Sequence, residues 1–500
     1  MESLSDTQWD IVISGTGLHQ SLLALALSRS GKNILHVDPN EYYGGSEAAF
    51  SLPEVDEWAE KHSSDDRDGL LFAGAEVKSK AGELGSPRRY TVALAPQLIH
   101  SRSKLVSQLV DSKAFRQIEF LAVGSFFIYQ PASEASSTPS LSRIPSTRED
   151  VFTNTVIPTR SKRYLMKFLK FVLAYESELQ TDLWQPHADE PLQDFLASQF
   201  KLDSSLQSYV ITLTLSHDGK VSVKDGLTAI SRHLASMGVF GPGFAAVYPK
   251  WGGLSEVAQV GCRAAAVGGA VYMLGSGISE VRNASSEPDQ TETFLELQLT
   301  NDMVVKTRQL VQGSQQSTAQ SSRISRLTVV TKRDLSSLFE LRTEGAPIPA
   351  VAVVAFPAGS VSSTEGNPSE HPVYAMVHSS DTGECPQGQY VLYLSTVHDA
   401  SSKSVLEKSV SSLVSAVHGD EEASFIYQLY YTQCVGTSSA LVVDGNTATF
   451  PLPPVDLAFN DSILDSVHEA WNLVTAGPEG DVEYMKFEDR ERNEDDDAYD

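Results

Sequence analysis

The sequence predicts an α/β protein: a Rossmann-like multi-sheet domain of the FAD/NAD(P)-binding kind, with an all-helical second domain inserted into it. Three observations predict this. Trp9 to Gly45 reads as one strand, turn, helix and strand unit; Ser146 to Met237 changes to helical periodicity; and strand-like segments return beyond Ile278.

In the first unit, the apolar run Ile11-Val12-Ile13 stops at the glycine turn Gly15-Thr16-Gly17. Leu22, Leu23, Leu25, Ala26 and Leu27 make a helical stripe that Ser30-Gly31 ends, and Asn33 to Val37 forms a second buried strand closing on Asp38. A carboxylate roughly twenty positions after the glycines is the layout in which a helix N-terminus holds a pyrophosphate and the acid meets the ribose. The third glycine of that pattern is missing. Gln20 stands in its place, after His19, and a long amide crowds the phosphate seat. Gly15, Gly17, Gln20 and Asp38 therefore read as a degenerate dinucleotide motif, and no cofactor is expected. No Gly-Asp pair precedes Ile463, where a flavoenzyme's last helix would meet the phosphates, which is a second loss.

Past Gly45, a helix is expected around Val55 to His62, a polar connector at Ser63 to Asp66, and a strand at Tyr90 to Leu94. Leu98 to Val110 reads as one helix whose apolar face is Leu98, Leu105, Leu109 and neighbours. Gly124 to Tyr129 reads as a strand, and Pro131 to Ser146 as a loop. Ser146 with Glu149 three residues later has capping-box spacing and opens the helical domain. In Ser161 to Glu176, Leu165, Phe168, Leu169 and Val172 share one face while Met166, Phe171 and Leu173 spill onto the others, so this helix should be buried nearly all round. Either it is fully enclosed, or its surplus apolar side lines a pocket for an acyl or isoprenoid chain. Phe195 to Leu215 and Val223 to Met237 continue the helices.

Gly238 to Leu274 begins with a Gly- and Pro-rich loop, followed by a helix from Ser255 to Ala266 with Ser255 as its expected cap. Glu256, Gln259 and Arg263 stand at i, i+3 and i+7, so an acid, an amide and a guanidinium project together, as a solvated face or as a recognition surface. Thr293 to Leu299, Arg326 to Thr331, Val351 to Phe356 and Gln389 to Ser395 read as strands, and the polar stretch Gly313 to Ser325 as a mobile connector. Val405 to Val417 and Ile463 to Val474 read as helices, with a turn at Asp444-Gly445-Asn446.

A chain of 500 residues, 41% hydrophobic and 20% charged, suggests two or three soluble domains. Its start is acidic and carries no secretory pattern, no apolar run could span a bilayer, and Cys262, Cys385 and Cys434 fit a reducing compartment, so a cytoplasmic protein is expected. The last residues contain no prenylation box. A net charge of −26 excludes nucleic acid as a partner and favours basic ones. Glu488 to Asp500 reads as a solvated acidic tail or as a lure for basic peptides. The twelve histidines are scattered, with no catalytic or metal-binding motif, so no enzyme activity and no metal site are expected.

The turn GTGL, the strand end LHVDPN and the following Tyr42-Tyr43-Gly44-Gly45 resemble the first shared block of the Rab escort protein and Rab GDP-dissociation inhibitor superfamily. The resemblance resumes at YTVALAPQLIHSRSKLVSQLV, IPSTREDVF, RYLMKFLKFVLAYE and Gly238 to Leu274, and covers most of the chain. It implies a flavoprotein-like fold without flavin, divided as 1–145 with 238–487, a helical domain at 146–237, and a tail at 488–500. It also implies a platform for GDP-bound Rab GTPases at Tyr43, Glu256, Gln259, Arg263 and Met273. Leu105, Val106 and Leu109 would meet the GTPase's C-terminal segment, or simply cover the sheet. The geranylgeranyl group would lie against Leu165, Phe168, Leu169, Phe171 and Val172, and Tyr209 would face the Rab geranylgeranyltransferase αβ dimer. Asp381 to Thr396 is more similar to fungal escort proteins, and the GPGFAAVYPKWGGL block departs from the recycling inhibitors' version. The resemblance thus implies escort of unprenylated Rab to the transferase and transient membrane delivery. The alternatives are recycling of prenylated Rab and, on the glycine turn alone, a FAD-dependent oxidoreductase.

Overall fold

A computed structural model describes residues 4–489 except 65–69, 81, 133–137, 146–150, 152–157, 284–293, 315–321, 342–343, 420–423, 437–439, 453, 455 and 477–482. The expected capping box at Ser146 to Glu149, the middle of the connector at Gly313 to Ser325 and most of the acidic tail lie outside the described residues.

The chain opens with β1 (Gln8–Ser14), α1 (Leu18–Leu27) and β2 (Ile34–Asp38), then β3 (Ala49–Phe50) and α2 (Leu52–Lys61). The last begins at a capping box in which the Ser51 backbone N–H donates to Glu54 Oε2 at 2.8 Å. Next come β4 (Phe72–Ser79), β5 (Val92–Ala93), β6 (Ile99–His100), α3 (Lys104–Asp111), β7 (Phe120–Gln130) and β8 (Ser140–Arg143). Five helices follow: α4 (Thr159–Val172), α5 (Glu178–Trp184), α6 (Leu192–Phe200), α7 (Ser204–Thr212) and α8 (Val223–Ser236). The chain returns through β9 (Ala246–Pro249), α9 (Leu254–Val267), β10 (Val271–Leu274), β11 (Ile278–Asn283), β12 (Leu295–Leu299), β13 (Val304–Gly313), β14 (Ser322–Thr331), β15 (Val351–Phe356), β16 (Val373–His378) and β17 (Tyr390–Val397). It ends with α10 (Ser402–His418), β18 (Tyr427–Val435), β19 (Val442–Asp444), β20 (Thr447–Phe450) and α11 (Ser462–Thr475).

Two large sheets organise these elements. The first runs β10-β2-β1-β13-β12-β11, and its β10, β2, β1 and β13 are mutually parallel, as a βαβ start requires. β13 divides its outer edge: residues near Val304 to Thr307 pair with β12, and Leu310 to Gly313 pair with β20. The second sheet runs β4-β18-β14-β17-β16-β15-β7-β9-β6, antiparallel except where β15 meets β7. Its long apolar strands explain why Val351 to Phe356 reads as a strand from composition alone; all six residues are buried.

Several expectations are corrected. Leu98 to Val110 is not one helix: Ile99 and His100 pair with Val247 and Ala246, and α3 starts only where the Ser103 hydroxyl caps it, accepting from the Leu105 N–H at 3.2 Å. The stretch Pro131 to Ser146 contains β8, paired with the end of β7, and Ser322 to Ser325 of the expected polar connector belong to β14. The Gly- and Pro-rich loop holds β9, and α9 is capped by Gly253, with Ser255 buried inside the helix. Finally, α4 is amphipathic instead of enclosed, and it ends at Val172, short of the expected Glu176. Arg163, Lys167 and Lys170 face solvent, because charged side chains recur between the apolar positions, and Leu173 is exposed as well.

Leu165, Phe168, Phe171 and Val172 of α4 are buried in one core that also takes in Phe195, Phe200, Val353 and Met376. Leu169 is half-buried at the margin of that core. The Phe168 and Phe171 rings lie 5.2 and 5.0 Å from Phe200. Truncating Phe168 to Ala should therefore cost about 3 to 5 kcal/mol of stability, measured by denaturant titration.

The close packing of α9 on α1 depends on missing side chains. A Cβ on Gly261 would stand 2.6 Å from the Ser21 carbonyl oxygen, and one on Gly268 would stand 2.0 Å from that of Ser28. In an open helix, Gly→Ala gains up to about 1 kcal/mol. Here the sign reverses, and Gly261→Ala should lower the unfolding free energy by about 1 to 3 kcal/mol, because backbone cannot move aside. An unchanged or raised denaturation midpoint would show that the two helices can separate.

Candidate functional site

The degenerate glycine turn lies at the top of the first sheet, where β1 enters α1. Gly15 is left-handed (φ 92°), as a tight strand-to-helix turn requires. Part of the space that the glycines leave is taken by a side chain from the first turn of α1. A Cβ on Gly15 would meet Gln20 Nε2 at 3.1 Å, one on Gly17 would meet Gln20 Oε1 at 3.1 Å, and one on Gly313 would meet Gln20 Nε2 at 2.4 Å. Gln20 Nε2 donates to the Ser14 carbonyl at 3.4 Å, so the amide is anchored in the cradle.

The helix N-terminus itself has an occupant. Glu47 Oε2 accepts from the Leu18 N–H at 3.1 Å, and Ser46 Oγ donates to Glu47 Oε1 at 2.6 Å. Burial pushes the Glu47 carboxyl above its ordinary pKa, partly offset by these two donors. An acidic side chain thus sits where the partial positive charge of the α1 dipole would attract a phosphate. Asp38 is used internally as well. It accepts from the Thr16 N–H and hydroxyl at 2.6 and 2.7 Å and from the Asn40 N–H and side-chain amide at 2.8 and 3.0 Å. A cavity of about 330 Å³ remains at the turn itself, lined by Gly15, Gly17, Gln20, Asp38 and Glu47 together with Asn40. A dinucleotide does not fit these residues: its pyrophosphate would meet the Gln20 amide and the buried Glu47 carboxyl, and its ribose would have to displace donors that saturate Asp38.

The second group of residues stands on α9. Glu256 and Gln259 are half-buried and Arg263 is exposed, so the face predicted from i, i+3 and i+7 does turn outward. Gln259 Nε2 donates to Ser255 Oγ at 3.2 Å, and Arg263 Nη1 donates to Gln117 Oε1 at 3.5 Å. Burial raises the Glu256 carboxyl's pKa, and the Arg263 charge pulls it back. Tyr43 joins the start of this helix: a Cβ on its neighbour Gly44 would stand 3.4 Å from Ser255 Oγ, and its ring lies 6.1 Å from that of Tyr272. Burial raises the Tyr43 pKa too. Met273 lies next to Tyr272 on β10 and so points to the opposite side of the sheet, where Asn301 Nδ2 contacts its sulfur at 3.4 Å.

Other expected contact residues turn inward. Leu105, Val106 and Leu109 are buried in the core that contains Ile463, Val467, Met485 and Phe487, because α11 and the segment after it cover α3. The apolar side chains left outside here are Val110 and Phe115. Tyr209 is buried, with its hydroxyl 3.4 Å from Gln130 Nε2, so its ring is not a surface for a docking protein. Sequence reasoning missed Glu47 and Gln117. Neither lies in the motif it serves, and only the folded chain brings Glu47 to Leu18 or Gln117 to Arg263.

A family profile described as GDP dissociation inhibitor matches residues 5–330. A Saccharomyces cerevisiae protein named Rab proteins geranylgeranyltransferase component A is 31% identical over 389 residues, which is 77% of this chain and 61% of that protein. The chain thus spans about three fifths of that relative's length. Among solved structures, a Rab GDI from Plasmodium falciparum superposes with a TM-score of 0.66 at 16% identity, covering 93% of this chain and 97% of the other. An oxidoreductase from Methanosarcina mazei superposes at 0.57 with 11% identity, covering 93% and 99%. At those identities the likeness is one of fold alone.

The partly occupied cradle makes a direct prediction. The purified protein should be colourless and gain no thermal stability from added FAD or NAD, whereas a flavin spectrum at near-stoichiometric occupancy would overturn this account of Gln20 and Glu47. Glu47→Ala should cost about 1 to 2 kcal/mol of stability by removing the acceptor at the start of α1.

Proposed function

The chain belongs to the GDP dissociation inhibitor family, and from that premise we propose that it acts as a Rab escort protein. In this reading it binds GDP-bound, unprenylated Rab GTPases, presents them to the geranylgeranyltransferase αβ dimer, and carries the lipidated product to membranes. It works from the cytoplasm and performs no chemical step of its own. The observation that carries this reading is the outward face of α9, with its acid, amide and fork-shaped guanidinium, on a fold whose nucleotide seat is partly occupied by its own side chains. Such a face suits recognition of one protein surface and offers no group placed for catalysis. The name and 31% identity of the yeast relative support the escort role.

A geranylgeranyl chain has about twenty carbons, and at about 0.8 kcal/mol per buried CH₂ its exposure to water is costly. The helical layer is the proposed carrier. Its apolar interior beneath α4 is already closed by Phe168, Phe171, Phe195 and Phe200, so a lipid would enter at its margin, beside half-buried Leu169 and Met166. Val110 and Phe115 are the proposed contacts for a partner segment laid along α3.

Reconstitution separates escort from recycling. Unprenylated Rab, the transferase and geranylgeranyl diphosphate should give lipid transfer only when this protein is added; extraction of prenylated Rab from membranes without support of transfer would assign it to the recycling role. Arg263→Ala or Glu256→Ala should weaken binding of GDP-loaded Rab by about 1 to 3 kcal/mol with the fold intact, and unchanged affinity in both would make the α9 face merely solvated. Leu169→Ser should reduce affinity for prenylated Rab more than for the unprenylated form, which a paired titration reads directly.

A further inference from the structure

Between β9 and α9 the chain passes through Lys250 and Trp251. Trp251 adopts a left-handed backbone (φ 71°), a conformation that bulky residues rarely take. Gly252 and Gly253 follow it, both at positive φ, so the turn already has residues that adopt such angles without strain. Strain placed on a tryptophan beside two glycines is not required by the turn alone.

The indole is held outward. It is 52% exposed, a large value for a tryptophan in a well-packed region. Its backbone N–H donates to the Thr382 carbonyl at 3.0 Å, and its ring rests on Gly383, where an added Cβ would come within 2.3 Å of the ring carbons. Lys250 Nζ lies 5.0 Å from the ring centroid and 3.0 Å from both carboxylate oxygens of Glu119. Beneath this corner Glu384 is fully buried. It accepts from the hydroxyls of Tyr248 at 2.7 Å and Tyr393 at 2.9 Å, and lies 2.8 Å from His378 Nδ1. Thr91 N–H donates to the Glu384 carbonyl at 3.0 Å. A buried polar network of this kind over-determines the backbone above it, which is how a strained residue persists.

The position of the ring relates it to α9. Gln117, which receives Arg263, and Glu119, which receives Lys250, are two residues apart on one segment entering β7. Trp251 therefore lies along the same edge as Arg263, immediately before the helix that carries Glu256 and Gln259.

We propose that Trp251 is a partner-contacting residue that extends the α9 face. The indole, steadied by the Lys250–Glu119 pair beside it, enters an apolar recess on the bound small GTPase. This rests on the reading of the chain as a GTPase-binding protein and adds to it the residue at the centre of the contact. Exposed, rigidly held aromatic residues next to a polar recognition face are the usual anchors of such interfaces.

The test compares Trp251→Gly and Trp251→Asn, both of which tolerate the left-handed backbone while removing the ring, with Arg263→Ala and the unsubstituted protein. Binding of a purified, GDP-loaded Rab is measured by titration calorimetry and folding by thermal melting. The proposal expects affinity about tenfold or more lower in both Trp251 variants, with melting temperatures at or above that of the unsubstituted protein as strain is relieved. Affinity within about twofold, in a variant that melts cooperatively, overturns it. If Arg263→Ala weakens binding and the Trp251 variants do not, the GTPase reading stands and the role of Trp251 falls. If the unsubstituted protein binds no Rab, the reading itself falls, and this proposal with it.

Discussion

The buried start of α1 is the constraint on which the rest of the structure depends. A helix N-terminus enclosed by protein presents N–H donors and partial positive charge that must meet an acceptor. In a dinucleotide-binding protein the ligand supplies the acceptor. Here Glu47 supplies it, held by Ser46, and Gln20 takes part of the space above the glycine turn. Once that end is satisfied internally, α1 is fixed in place, and α9 can lie against it at the distance that Gly261 and Gly268 permit. The outward face of α9, proposed above for recognition, thus inherits its position from the internally capped start of α1.

The parallel strands, the left-handed turn at Gly15 and the buried Asp38 at the end of β2 keep the layout of a dinucleotide seat, but Asp38 here joins two parts of the chain through Thr16. The polar groups that do turn outward are half-exposed Glu256 and Gln259 and exposed Arg263 on α9, the face proposed for recognition. A protein surface can be read by such groups without deep burial, since affinity at interfaces comes from a few well-held contacts more than from area.

Much of this was legible in the sequence, and the parts that were not share a cause. The β1-α1-β2 unit, α8, α10 and α11 follow from local periodicity, and Gln20 announced its effect because it replaces a residue within a known spacing. Glu47 did not, because its partner lies 29 positions away and nothing in Gly-Gly-Ser-Glu specifies a cap for another helix. Leu105, Val106 and Leu109 gave a correct apolar stripe but no indication of which surface would cover it; α11 does, from more than 350 residues later in the chain. The α4 helix was over-read for the opposite reason: its apolar residues were counted and its recurrent lysines were not.

β1 carries a consequence for the making of the molecule. Its two sheet partners are β2 and β13, and β13 is synthesised far later than β2, with Gln8 pairing to Lys306. At about 5 to 20 residues per second, the open edge of β1 waits on the order of 15 to 60 seconds for that strand. Through that interval an apolar strand with unpaired backbone is available to any passing chain. The first sheet therefore closes only after β13 is made, and slower synthesis lengthens the exposure of that edge.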